Sequence, residues 1–387
     1  MFGVPTIVCY GTDFQTYSPI PKTQIVLNET QMPLKIDSAA EISDINFQDV
    51  ERQFTRLLRL DDLDQKIAEK SELKEDFEDV LEYALSDALD QEECDSPSLL
   101  FLQRILYRIN RLKLFWYDDL KNYENEDSQY LFEIQKRIES TWQDWESSHN
   151  DIKPLGTVIE VRTALRHRAA EDLDPKPSAE GLYFRNEMTE TGYRRLLAIA
   201  SLDGLVEASQ LSRVLGGASN EVQAMLTKIF LEEYGSAKLT RKHSSFFSAM
   251  LEEFGMKTQP EAYFDLAPWE VLANINHSFF LCERKRNFLR YIGSLLYFEV
   301  SVPAAFKNYQ LAGERLGLSP EAIDYWEVHI KEDQRHGQWM LDDVALPLVD
   351  RYPDLAREIV WGYDQQRFIS TRASQAIARS VREAENS

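Results

Sequence analysis

Cysteine is scarce in this 387-residue chain, with three residues at Cys9, Cys94 and Cys282 and no C-x-x-C pair. That excludes a disulfide framework and a thiolate zinc site, and it fits a reducing, cytoplasmic compartment. Long apolar runs are missing as well. No stretch approaches the roughly eighteen uninterrupted apolar residues that a membrane helix needs. The opening MFGVPTIVCYGTDFQ has neither the basic start nor the apolar run of a signal peptide. Basic residues are outnumbered, 43 Lys and Arg against 65 Asp and Glu, giving a formal net charge of -22. A surface of that sign repels nucleic acid and anionic membranes, so neither is an expected partner. Histidine is also rare, with six in the chain, so each position is informative.

What the chain does have is helical periodicity and enough apolar residues, 43%, for a sizeable core. Residues 1–45 are mixed: TIVCY and TQIVL read as short strands, and four prolines between Pro5 and Pro33 oppose a long helix. Residues 46–150 carry apolar residues at three- and four-residue intervals and form a helical accessory or dimerisation domain. Aromatics such as Phe115, Trp116 and Trp142 would suit a homodimer interface there. Ser96-Pro97 marks a break and a cap before Leu99. Residues 151–182, with DLDPKPSAEG, read as a connector. From 183 to 387 the helical pattern resumes with more apolar content. One helix is expected to run through ETGYRRLLAIASLDGLVEASQLSRVLGG and stop at Gly216-Gly217, with Ser219 and Asn220 capping the next. Ser319-Pro320-Glu321 opens another, expected to run through AIDYWEVHIKEDQRHGQWMLDDVA. The fold class expected is all-α.

That last helix carries His329, Asp333 and His336 as H-x-x-x-D-x-x-H. On a helix the three share one narrow stripe with Ala322, Tyr325 and Met340, with Trp326 at its flank. A face of that composition points into a core. Buried imidazoles and a carboxylate must then be metal-bound or tied into a structural hydrogen-bond network, and the motif alone is consistent with either. Glu299 stands alone in the apolar YIGSLLYFEVSVPAAF, where it needs a metal or an Arg partner. Glu233 shares a face with Leu226, Ile229 and Phe230. His243 sits among Leu239, Phe246, Phe247 and Met250, where a hydrogen-bonded core histidine is the plain alternative. Glu207, near Ala200, Gly204, Leu211 and Val214, is the least dry of the set because Asp203 lies one turn away. Asp324, Glu327 and Asn276 are close in sequence to these helices but have no assigned role, and His277 reads as structural. An oxygen- and imidazole-rich donor set without thiolate suits Fe(II) or Mn(II) better than zinc.

In this order, Glu233 and His243, then Glu299, then His329, Asp333 and His336 resemble the haem-oxygenase-like dimetal oxidases. The nine residues between Glu233 and His243, the upstream Glu207 and a preceding helical region are similar to the N-oxygenating members. The streptozotocin-pathway N-oxygenase is one such member, and no counterpart of its C-terminal cupin domain is expected within these residues. The resemblance covers residues from about 178 to 380. It implies a haem-oxygenase-like bundle holding two Fe(II) ions, with Mn the alternative metal, at Glu207, Glu233, His243, Glu299, His329, Asp333 and His336. Asp333 would be a bridging ligand, O2 the co-substrate and an external reductant the electron source. It implies N-oxygenation of a small amino-acid-like substrate. Oxidative C–C cleavage, desaturation or decarboxylation of an amino or fatty acid by the same site stays open. A non-catalytic helical scaffold is the contrasting reading. Ferritin-like diiron proteins use a pair of Glu-x-x-His motifs, which this chain lacks.

Overall fold

The computed structural model describes residues 46–90, 96–113, 123–150, 155–216 and 219–387. The strands expected in TIVCY and TQIVL, together with Phe115, Trp116 and Gly217, lie outside the described residues. Every described residue falls within one compact unit, Ile36–Ser387. Among the described residues the regular elements are all helical, and no helix is long and apolar enough to cross a membrane.

The first group of helices is α1 (Phe47–Leu57), α2 (Leu63–Glu69), α3 (Glu75–Asp90), α4 (Pro97–Asn110) and α5 (Gln129–His149). Ser96 caps α4 as its sequence predicts, accepting from the Leu99 amide ahead of Pro97. The group packs through Phe54, Phe77, Leu102, Ile105 and Ile138, and the same core takes in Trp269, Ala273 and Ile369 from later helices. Trp142 is buried in that core, edge-on to Trp269.

α6 (Val158–Leu173) and α7 (Ala179–Asn186) follow. The segment read as a connector therefore contains a well-made helix. Thr157 and Glu160 form a reciprocal capping box, and Val161, Leu165 and Ala169 bury one face at four-residue spacing. The prolines that drew attention, Pro175 and Pro177, lie just beyond its end.

The remaining helices are α8 (Glu190–Gly204), α9 (Asn220–Glu233), α10 (His243–Glu253), α11 (Trp269–Cys282), α12 (Phe288–Leu316), α13 (Pro320–Trp339), α14 (Leu346–Arg351) and α15 (Arg357–Glu385). α8 stops at Gly204, well short of the expected Gly216, and Ala208 beyond it takes a left-handed φ of 56°. Phe247 of α10 packs closely on this end, where a Cβ at Gly204 would sit 2.6 Å from its ring. Ser219 stands at the cap of α9 but its side chain makes no cap bond, whereas Ser319 caps α13 through the Ala322 amide. α13 does not continue as one α-helix through Ala345, because residues 340–345 form a π-turn leading into α14. α12 and α15 cross at van der Waals range, where Gly293 faces the Ile359 carbonyl and Gly362 faces the Arg290 carbonyl.

Candidate metal centre

Five elements of the chain bring acids and imidazoles to one place. Glu232 and Glu233 end α9, whose last turn is broken by Gly235 at φ +61° and Ser236 at φ 52°. A Cβ at Gly235 would lie 2.4 Å from the Arg241 carbonyl carbon, so only glycine allows this tight reversal. The reversal returns His243, at the start of α10, to Glu233. Glu233 and His243 thus lie on consecutive helices.

Glu299 belongs to α12 one turn before Pro303, which has no N–H to offer the Glu299 carbonyl. α13 approaches at that point, where a Cβ on Gly337 would be 3.0 Å from that same carbonyl oxygen. His329, Asp333 and His336 occupy the buried face of α13 with Ala322, Tyr325 and Trp326. Glu207 lies in the turn after α8, not on a helix.

The seven sequence-predicted residues converge. His243 Nδ1 is 2.7 Å from Glu233 Oε2 and 3.1 Å from His329 Nε2. His329 Nε2 is 3.6 Å from Glu207 Oε1, and His329 Nδ1 is 2.7 Å from the Tyr325 carbonyl oxygen. His336 Nδ1 lies 3.4 Å from Glu233 Oε1, 3.3 Å from Glu299 Oε2 and 3.5 Å from Asp333 Oδ1. Two donor groups result, each compact enough for one ion: Glu207, Glu233, His243 and His329, and beside it Glu233, Asp333 and His336. Glu299 closes the second through its contact with His336. The residue common to both is Glu233, whereas Asp333, expected as the bridge, belongs to one.

The electrostatics fit a cation. Burial pushes the Glu207, Glu299 and Asp333 carboxyls above the usual carboxylate range, and the Glu233 charge adds to it. Glu233 itself is buried, yet His243 and His336 hold it well below that range. Burial works against an imidazolium at His243, but Glu233, Glu332 and Glu207 outweigh it and raise the group to about 11. His329 goes the other way, to about 4, through burial and then the charge on His243. Four acids and three imidazoles packed this closely can all be ligands, deprotonated together, only around added positive charge. Buried Glu207 Oε2, Asp333 Oδ1 and His336 Nδ1 have no hydrogen-bond partner. Three orphaned donor atoms in two adjoining groups are what two metal ions would satisfy.

Sequence reasoning missed the outer carboxylates. His243 and His336 turn Nδ1 inward and Nε2 outward, where Glu332 Oε2 lies 3.3 Å from His243 and Glu232 Oε2 lies 3.0 Å from His336. Arg335 Nη2 approaches both, at 3.1 Å from Glu232 and 3.9 Å from Glu332. These are the groups that fix tautomer and ring orientation in metal-bound histidine. The available signal was adjacency: Glu232 precedes Glu233, and Glu332 precedes Asp333. Tyr325 was read only as core, but its hydroxyl donates to Glu207 Oε1. Asn276 is buried in a separate amide cluster with Gln103 and Asn110, and His277 is buried against Phe280. The chain's one Glu-x-x-His spacing, Glu146 to His149 on α5, belongs to neither donor group.

A cavity of about 340 Å³ opens beside the inner face of the donors. Glu207, Glu233, Glu299, His329 and Asp333 contribute to its wall, while His243 and His336 stand behind it. The rest is mainly apolar, including Ile199, Phe247, Leu295, Phe306 and Trp326, with Asp203, Gln210, Asn274, Ser278, Ser294 and three tyrosines as polar exceptions.

Residues 194–366, which hold all seven donors, match a protein family described as iron-containing redox enzymes. Over this region the chain is similar to that haem-oxygenase-like family. A nitrosourea synthase from Streptomyces achromogenes subsp. streptozoticus is 30% identical over 182 residues, 46% of this chain. The chain spans 38% of the length of that relative. The family region runs from within α8 to within α15, so helices α1 to α7 lie outside it.

Proposed function

We propose that the protein is a non-haem dimetal oxygenase that activates O2 with two iron ions and N-oxygenates an amine on a small substrate. The observation that carries this is Glu233, whose two oxygens face the histidines of two separate donor groups, 2.7 Å from His243 and 3.4 Å from His336. One ion would be held by Glu207, Glu233, His243 and His329, the other by Glu233, Glu299, Asp333 and His336. When bound, a pair of Fe(II) ions supplies two electrons to O2, and an external reductant restores them between turnovers.

The chain's own residues have defined tasks. The apolar cavity wall excludes water from the reacting atoms. Glu332 and Glu232 keep each imidazole aimed through Nδ1. Tyr325 holds Glu207 by its hydroxyl and His329 by its carbonyl, so one side chain and its own backbone set two ligands. Support for an amine over an acid comes from the cavity wall, which has carboxylates but no Lys or Arg among the described residues. Support for N-oxygenation comes from the likeness to a nitrosourea synthase.

The test is anaerobic loading with Fe(II) followed by O2, with iron counted per chain, O2 uptake followed, and products of added amines read by mass. Two irons per chain and an added oxygen on nitrogen are expected, and Glu233→Ala should lose both ions together. Less than one iron per chain with no O2 uptake would sink the reading. Loss of a carbon fragment would redirect it to oxidative cleavage.

A further inference from the structure

The metal reading leaves one charged group of the cavity unused. Asp203 lies in the last turn of α8, one turn before Glu207, and lines the cavity. Its side chain keeps an open face, in contrast to its neighbours Ser201 and Leu202, which are fully packed. Asp203 is exposed within the open cavity, and no hydrogen bond or ion pair to a described residue meets its carboxylate. The cavity wall offers no Lys or Arg, and outside the donor set its other polar groups, Gln210, Asn274, Ser278, Ser294 and the hydroxyls of Tyr291, Tyr309 and Tyr325, are uncharged. Ser294 is already committed to Gln366, at 2.7 Å. An open, unpaired carboxylate on a mainly apolar wall is a ready partner for an opposite charge.

We propose that Asp203 is the recognition residue for a cationic nitrogen group on the substrate, an ammonium or a guanidinium carried on a mainly apolar body. The proposal rests on reading this cavity as the substrate site of the metal centre. Apolar walls accept the body, and Asp203 supplies the single fixed charge that orients it, as small-molecule sites commonly do. The net charge of -22 draws such cations toward the protein and disfavours carboxylic acids.

The test is calorimetric titration of the full chain, metal-free and Mn(II)-loaded, with n-hexylammonium, hexylguanidinium, hexan-1-ol and hexanoate. Both cations should bind the wild type more tightly than hexanoate. Asp203→Asn should weaken the cations about ten- to a hundredfold and leave hexan-1-ol unchanged, which reports an intact cavity. Asp203→Glu should recover part of the loss. Equal cation affinity in wild type and Asp203→Asn, or a preference for hexanoate, would overturn the proposal. The two readings fail separately. Asp203-dependent cation binding in a protein that takes up no iron would remove the oxygenase and keep this site. Iron uptake and O2 consumption without any Asp203 dependence would do the reverse.

Discussion

Glu232 and Glu233 are neighbours in the chain, yet they reach opposite nitrogens of one imidazole, Glu232 at 3.0 Å from His336 Nε2 and Glu233 at 3.4 Å from Nδ1. Both sit in the last turn of α9, on either side of the ring that α13 brings in. His243 repeats the pattern with Glu332 outside and Glu233 inside.

The outer pair gives the first prediction. Glu232→Gln and Glu332→Gln keep an acceptor near each imidazole but remove the charge that makes the ring a better donor. Each should lower affinity for Fe(II) or Mn(II) about 10- to 100-fold, with little change in the melting temperature of the metal-free protein. Chelator competition measures the first quantity and calorimetry the second. Unchanged metal affinity in both variants would mean that these glutamates only solvate the site's edge.

The helix crossing behind the cavity gives the second. A Cβ at Gly293 would lie 1.9 Å from the Ile359 carbonyl oxygen, a backbone atom that cannot rotate away. Gly293→Ala should therefore force α12 and α15 apart and cost about 1–3 kcal/mol or more. Gly216→Ala, where nothing lies within 4 Å, should be close to neutral. Urea midpoints of the two variants decide it. Similar midpoints would show that the crossing has slack.

The third concerns pH. Glu146 is fully buried, and burial moves its carboxyl from 4.5 up to about 8 against the hydrogen bonds of Gln143 and Gln365. Between those values the unfolded chain has released this proton and the folded chain keeps it. The folded state binds more protons there, so this group's contribution to stability falls as pH rises from about 4.5 to about 8. The corner is rich in acceptors: Glu146 Oε1 and Gln365 Oε1 are both buried without a donor. Glu146→Gln supplies a permanent donor and no charge. The variant should exceed wild type by up to about 5 kcal/mol at pH 9 and show little difference near pH 4.5. Urea denaturation at the two values checks it, and an equal difference at both would refute the assignment.

The sequence made the donors legible through scarcity. With six histidines in the chain, the spacing of His329, Asp333 and His336 on one apolar-flanked helix stood out. Glu299 stood out by being the lone acid in an apolar run. Helix starts marked by Ser96-Pro97 and Ser319-Pro320 are where the caps form. What periodicity does not report is where a helix stops short. α8 ends at Gly204, against which Phe247 of another helix packs, and Glu207 lies in the turn beyond. Helix α6 was hidden by the prolines after it, since its buried residues are small and few. The sharing of Glu233 between two groups was equally invisible. It depends on the reversal at Gly235, and a reversal folds together residues whose separation in sequence carries no such mark.

The outward nitrogens of His243 and His336 divide the centre into two sides. Glu332 and Glu232, each partly open to solvent, stand on one, and the apolar cavity lies on the other. If the protein is the oxygenase proposed above, protons drawn in as O2 is reduced would arrive through the acidic rim and the imidazoles, while an organic molecule would enter through the hydrocarbon-lined chamber. Supply of hydrogen ions and supply of substrate would then not compete for the same doorway, and blocking one would leave the other working.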